Sequence, residues 1–398
     1  MTIISIVFLV ILTIITIIWF VPAYTSPIKD ADGQIVKGSI ATLEKIELGN
    51  TKQWILMRGL DSTKPVILFL HGGPGTSAMG LYKKYTAELE KHFVVVLWDQ
   101  RGAGKSFAAN KPNSDMNIQQ FVSDTCQLTE KICLRFNQKK IFLVGHSWGS
   151  ILGILAIQKR PELYHAYIGM GQIANMQKNE LISYEWTLEQ AIKANDQVAI
   201  KTLTNIGKPP YDGDWKKKLF KQRRLLGKFG GEFYGNSKGA APLVLKSLIF
   251  TTEYTLLDKI NFIRGGLLSI QLLWQEILTI NFEEQALNLK VPIYFVLGKH
   301  DYEVPFLIAE HYFNLLEAPR KELIWFENSA HLQNVEEPEK FNDLLINHVL
   351  PNVSLLKKFN YAKIHLYFHH FNPRINSFYG FCQGFWLWQF YSIDQRNL

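Results

Sequence analysis

Charge is missing from the start of this 398-residue chain. The stretch MTIISIVFLVILTIITIIWFVPAY, residues 1–24, contains no Asp, Glu, Lys or Arg, and the first lysine is Lys29. A cleaved secretory signal would carry a positive leader and an apolar run of only about 7–15 residues, so it stands as the alternative. About 20 apolar residues at 1.5 Å rise each span a hydrocarbon core. Residues 1–24 are therefore expected to form a single-pass transmembrane helix that places the protein at a membrane. No polar face is available for water, which argues against an ordinary surface or core helix. Trp19 and Tyr24 stand where interfacial aromatics are common. The side of the membrane is left open, although Lys29, Lys37 and Lys45 follow the span and lean towards a cytoplasmic body.

Cysteine is scarce as well. Cys126, Cys133 and Cys382 are the three present. Their odd number supplies no disulfide framework, and their spacing fits no metal site. Cys126 and Cys133 share one face of a helix and read as small buried apolar residues. A phosphate-binding loop is also lacking. WDQRGAGKS (98–106) ends like one, but the glycine required five positions before Gly104 is Asp99, a carboxylate where phosphate charge would sit. No metal and no cofactor are expected.

Acidic residues are too few to balance the basic ones, and net charge is +8. Part of the excess is local: KPPYDGDWKKKLFKQRRLLGK (208–228) holds eight Lys/Arg against two Asp. This segment reads as a solvated helix face, or as a contact for anionic lipid headgroups. No recognition motif accompanies it, so nucleic acid is not an expected partner.

What the chain does have is a core. Hydrophobic residues make up 47% and charged residues 20%, a globular composition. Short strands at 39–46 and 52–58 precede VILFLHGGPG (66–75), HFVVVLWDQRG (92–102), KKIFLVGHSWGS (139–150) and HAYIGMG (165–171), with helices expected at 78–91, 117–136 and 149–159. Alternation resumes at VPIYFVLGKHD (291–301), followed by a helix at 305–317, KELIWFEN (321–328) and a helix near 336–348. Strands that alternate with helices predict a mostly parallel sheet with helices on both faces. The helical stretch that interrupts them is best explained as an inserted cap over the sheet edge where open α/β sheets bind ligands. The expected organisation is an anchor at 1–24, an α/β core in two parts at 28–173 and 286–350, a helical cap at 174–285, and an aromatic-rich tail without a clear period at 351–398.

GHSWGS carries the chemistry. It places Ser147 between Gly145 and Gly149, the G-x-S-x-G of a strained strand-to-helix turn that presents a nucleophile. A serine needs a base beside it and a third group to orient the base. In chain order Asp301 and His331 follow, each just after a predicted strand. Their expected roles are orienting acid and general base. Glu303 or Glu327 could stand in for Asp301, while His146, His300, His311 and His348 are weaker candidates for the base. The oxyanion of acyl transfer needs backbone donors. These are assigned to Trp148, directly after the nucleophile, and to Gly73 in HGGPG.

HGGPG, DQRGAGKS, GHSWGS, GKHD and the SAH around His331 occur in this order. Together, over residues 40–350, they resemble the proline iminopeptidase-like branch of the α/β-hydrolase fold. The resemblance implies the triad Ser147, Asp301 and His331, with Gly73 and Trp148 as oxyanion donors. It also implies an aminopeptidase-like activity on a small peptide or amino-acid amide. A carboxylesterase acting on an apolar ester, and a non-catalytic binding protein on the same fold, are the alternatives. His146 stands where the family has glycine. The cap has ISYEWTLEQ (182–190) rather than the Trp-x-x-Trp-Glu run that accompanies amine recognition. Glu180, Glu185 and Glu189 could serve as amine partners or as plain surface carboxylates.

Overall fold

The structure is a computed structural model that describes residues 21–109 and 116–352. Its centre is an eight-stranded sheet. In chain order the strands are β1 (Ile40–Leu48), β2 (Thr51–Gly59), β3 (Val66–Leu70), β4 (Val94–Asp99), β5 (Ile141–His146), β6 (Tyr164–Met170), β7 (Ile293–Gly298) and β8 (Lys321–Phe326). In space they lie β1-β2-β4-β3-β5-β6-β7-β8. The first two are antiparallel to their neighbours, and every pairing from β4 to β8 is parallel.

The apolar runs explain the order. Every residue of β3, β4, β5 and β7 is buried. Strands covered on both faces need such continuous runs rather than alternation. β1 and β8 are half-buried and take the edges. Helices α1 (Met79–Tyr85), α2 (Ile118–Arg135) and α3 (Trp148–Lys159) connect the central strands. Cys126 and Cys133 lie on the buried face of α2. The chain leaves β3 for β4 on one side and returns to β5 on the other, so the order reverses beside β3. That reversal opens a crevice at the C-terminal ends of β3 and β5, where HGGPG and GHSWGS follow.

Between β6 and β7 the chain is helical: α4 (Met176–Lys193), α5 (Gln197–Ile206), α6 (Trp215–Lys228), α7 (Ala241–Phe250) and α8 (Leu256–Ile277). Tyr184, Ala191, Ala199, Leu203 and Ile206 give the first of these a small core of their own. α8 starts at a capping box: Thr255 Oγ1 accepts the Asp258 N–H, and the Asp258 carboxylate accepts the Thr255 N–H. The Asp258 carboxylate also receives Lys105 Nζ at 2.7 Å, which ties α8 to the loop after β4. Beyond β7, α9 (Phe306–Leu315) leads to β8.

Two expectations change. Residues 1–20 of the predicted anchor lie outside the described residues, but Val21–Tyr24 are not helical. Pro22 offers no N–H to a helix, and the Tyr24 N–H is bonded to the Thr252 carbonyl at 2.9 Å. The apolar helix therefore cannot run through residue 24. Among the described residues no helix is long and apolar enough to cross a membrane. The helix expected near 336–348 is broken into Gln333–Glu336 and a new start at Pro338, because proline cannot continue the preceding turn. Nearly all of the predicted tail, residues 353–398, lies outside the described residues.

Candidate active site

Ser147 sits at the turn from β5 into α3 with φ 53° and ψ −119°. A non-glycine residue there is strained, and the surroundings enforce it. The Ser147 N–H bonds the Met170 carbonyl at the end of β6 (3.0 Å), and the Ser147 carbonyl accepts Ser150 Oγ (2.6 Å). The turn is sharp because Gly149 lets α3 approach β3. A Cβ on Gly149 would lie 2.2 Å from the Leu70 carbonyl oxygen. Trp148 is the first residue of α3, and its N–H has no partner within that helix.

The HGGPG loop faces this turn. Gly73 has φ 120°, and a Cβ there would lie 2.7 Å from the nitrogens of Gly75 and Thr76. The DQRG segment holds loop and elbow together. Gln100 donates its N–H to His71 Nε2 (3.2 Å) and Nε2–H to the His71 carbonyl (3.1 Å), while its Oε1 accepts Trp148 Nε1–H (2.8 Å). Since His71 Nε2 accepts, Nδ1 carries the proton and donates to the Gly72 carbonyl at 2.7 Å. Burial holds this ring neutral, down to about 4. Asp99 accepts from Ser77, from both contacts of the Tyr254 hydroxyl at 2.8 Å and from the Lys105 N–H at 2.8 Å. Arg101 makes a bidentate pair with Asp124 (3.0 and 3.1 Å) and also donates to the Gly49 carbonyl (3.0 Å). WDQRGAGKS is thus a brace under the site.

Asp301 follows β7 and His331 follows β8. His331 Nδ1 and Asp301 Oδ2 are 2.8 Å apart, both buried. The other carboxylate oxygen of Asp301 accepts the N–H groups of Glu303 (3.1 Å) and Val304 (2.8 Å), which fixes its orientation. His331 and Ser147 line the same cavity, of about 330 Å³, together with Gly73 and Trp148. Among the rival histidines, His146 packs its ring 4.7 Å from that of His331 and donates Nε2–H to the His331 carbonyl (2.8 Å). Burial keeps His146 neutral, down to about 3. His300 stacks on Tyr234 instead. Glu327 is exposed.

Cap and core together build an acidic cluster, of which Glu180 and Glu303 were named from the sequence and Glu232 was not. Glu180, Glu232 and Glu303 line the cavity beside one cation, Arg223. Arg223 is committed to Glu180 and lies 4.0 Å from Glu303. The Glu232 carboxylate accepts the Ala240 N–H at 3.3 Å. Burial, with Glu303 as a like charge, pushes it up to about 7. Of the helix carboxylates named from the sequence, Glu180 is buried in the cavity, whereas Glu185 and Glu189 pair with Lys208 and Lys193 at the surface. The carboxylates act on His331. Burial opposes its charge, but Asp301, Glu303 and Glu232 outweigh burial and raise it to about 9. Glu232 lies in a loop, GKFGGEFYG, with no periodicity to mark it. Among the described residues no cluster of His, Cys, Asp or Glu could hold a metal ion.

The chain is similar in sequence and fold to known proteins. The family model for the alpha/beta hydrolase fold matches residues 65–338. "Probable aminopeptidase YbaC" of Bacillus subtilis (strain 168) is 36% identical over 312 residues, 78% of this chain and 97% of that protein. "Proline iminopeptidase" of Saccharolobus solfataricus is 25% identical over 280 residues, 70% of this chain and 83% of its own. A proline iminopeptidase-related protein of Thermus thermophilus superposes with a TM-score of 0.54 at 17% identity, over 79% of this chain and 98% of its own, a likeness of fold.

Proposed function

The chain belongs to the alpha/beta hydrolase fold family and is a hydrolase, and on that footing we propose that it is a serine aminopeptidase acting on short peptides or amino-acid amides with a free N-terminus. The observation that carries this reading is the excess of carboxylate in the cavity of Ser147: Glu180, Glu232 and Glu303 stand against one guanidinium, Arg223, which pairs with Glu180 and lies 4.0 Å from Glu303. A substrate ammonium is the cation that such a cluster lacks.

In the proposed reaction Ser147 Oγ attacks the scissile carbonyl. His331 takes the hydroxyl proton and delivers it to the leaving amine. Asp301 holds the imidazole by Nδ1 and stabilises its charge. The N–H groups of Gly73 and Trp148 receive the oxyanion. Water then cleaves the acyl-serine by the same steps in reverse order. The carboxylates also tune the base. In the free enzyme they favour His331 in its charged form, which cannot accept a proton. A bound ammonium beside Glu232 and Glu303 offsets their charge and lowers His331 towards the neutral base. Substrate recognition and activation of the base are then one event.

A second reading, an esterase for an apolar acyl group, draws on Leu219, Leu248, Phe262, Ile270 and Trp274, which make much of the cavity wall apolar. Paired substrates decide between the two: aminoacyl anilides, their N-acetylated counterparts, and short acyl esters. The aminopeptidase reading expects the free amine to be hydrolysed at least 10²-fold faster than its acetylated form, about the 2.7 kcal/mol of one charge-assisted contact. Equal rates on both would refute it. Residues 1–20 are proposed to hold this hydrolase at a membrane. Release of the full-length chain by alkaline carbonate would refute that part alone.

A further inference from the structure

Among the described residues, the outer face of the last two cap helices is apolar and exposed. On α8, Leu257, Ile260, Ile263 and Leu267 recur at helical spacing, and all four are exposed, Ile263 by 59%. On α7, Leu245, Ile249 and Phe250 are exposed, Phe250 by 74%. The two helices adjoin, since Lys259 Nζ on α8 donates to the Ile249 carbonyl on α7 at 2.7 Å. Single exposed apolar side chains are ordinary, but a contiguous set of seven on adjoining helices marks a surface that meets something apolar.

Three observations identify that partner. The first is position. The Tyr24 N–H bonds the Thr252 carbonyl, between α7 and α8. Residues 21–24, which follow the uncharged stretch 1–20 in the chain, are therefore fastened at the junction of these two helices. The second is the composition of that stretch. It carries no Asp, Glu, Lys or Arg, and its polar side chains are four hydroxyls, those of Thr2, Ser5, Thr13 and Thr16. Residues 1–20 and the patch each call for an apolar partner, and a second copy seated on the patch would cover the patch alone. A bilayer takes up both. The third is charge. Lys216 of α6 donates to Gln271 on the exposed side of α8 (3.2 Å), so the basic segment borders the apolar stripe. The two acids of α8 are engaged elsewhere, Asp258 with Lys105 and Glu276 with the Ile118 N–H. Basic residues around an apolar face suit anionic headgroups around acyl chains.

We propose that the outer face of α7 and α8 docks on an anionic lipid bilayer, with the α6 lysines at headgroup level. Val244 and Leu248, on the inner side of α7, line the catalytic cavity. Docking would thus hold the cavity one helix away from the lipid surface.

The test uses the full chain, reconstituted into vesicles of phosphatidylcholine with phosphatidylglycerol. A polarity-sensitive fluorophore is attached at Ile263→Cys, and separately at Lys201→Cys on the exposed side of α5, both in a Cys382→Ser background. Lipids spin-labelled in their acyl chains serve as quenchers. A blue-shifted emission at 263, quenched several-fold more than at 201, is the expected result. Leu267→Cys should repeat it. Equal quenching at both positions, or a water-like spectrum at 263, overturns the proposal. A blue-shifted label that lipid quenchers do not reach also overturns it, because protein would then cover the face. Neither Ile263 nor Leu267 lines the cavity, so turnover of a small soluble substrate by both variants should match the parent. That control reports folding and keeps this test separate from the hydrolase reading.

Discussion

Glu232 gives its backbone carbonyl to the N–H of His331 at 3.2 Å, and its side chain lines the cavity that His331 shares with Ser147. The neighbouring Gly231 carbonyl accepts the N–H groups of Tyr302 (2.9 Å) and Glu303 (3.2 Å), directly after Asp301. One short cap segment is therefore fastened to the loops that carry both the acid and the base. The cap does more than cover the crevice: it sets a carboxylate against the imidazole and keeps it there.

Ser147→Ala should abolish labelling by a fluorophosphonate and reduce kcat by at least about 10³-fold. Thermal melting should be unchanged or slightly higher, since the backbone with its φ of 53° stays as it is and the hydroxyl removed lines a cavity. Labelling of the variant at the parent rate would remove Ser147 from the chemistry.

The pH profile follows from His331. Its neutral form is the base, so kcat/KM should rise as pH increases through the free-enzyme value near 9. Glu303→Gln removes a charge that raises His331. The rising limb should then move to lower pH, while KM for a free-amine substrate increases. Glu232→Gln should act in the same direction. A purely structural role for these glutamates would leave the limb in place and change only the amount of folded enzyme.

Gly149→Ala puts a methyl group 2.2 Å from the Leu70 carbonyl oxygen. The backbone of β3 cannot yield, because it is paired on both sides. A loss of about 3 kcal/mol or more is expected in urea unfolding. A stability within about 0.5 kcal/mol of the parent would show that the elbow relaxes freely.

Arg101 and Asp124 form a buried pair, 3% and 0% exposed. Arg101→Met leaves the carboxylate unpaired and should cost about 3–5 kcal/mol. Asp124→Asn puts an NH2 where an oxygen accepts from Arg101 and a glutamine amide and leaves the guanidinium charge unbalanced, so a cost of the same order is expected. Neither residue lines the cavity, so the folded fraction of each variant should retain its KM.

The pattern of apolar runs and turns was enough to mark the parallel sheet, the helical interruption and the strand ends that bear Ser147, Asp301 and His331. All are local properties: a continuous apolar run dictates a strand buried on both faces, and G-x-S-x-G dictates a tight turn. The assignment of WDQRGAGKS to a brace was also within reach, because Asp99 rules out a phosphate loop. Other features depended on distant segments. Glu180, Glu185 and Glu189 share one helix and one chemistry, yet only Glu180 meets Arg223 in the cavity, a distinction made by α6 packing on α4. Glu232 has no periodic signal and becomes part of the site only because its loop bonds to residues about 70 and 100 positions onward. The anchor expectation ran too far, to residue 24, because composition reports apolarity but not the bond between Tyr24 and Thr252. Sequence by itself determined the fold and the candidate triad, since both follow from short-range order along the chain. Tertiary structure alone decided the charge balance of the cavity and the exposed face of the cap, since each is a sum over elements that the chain order keeps apart.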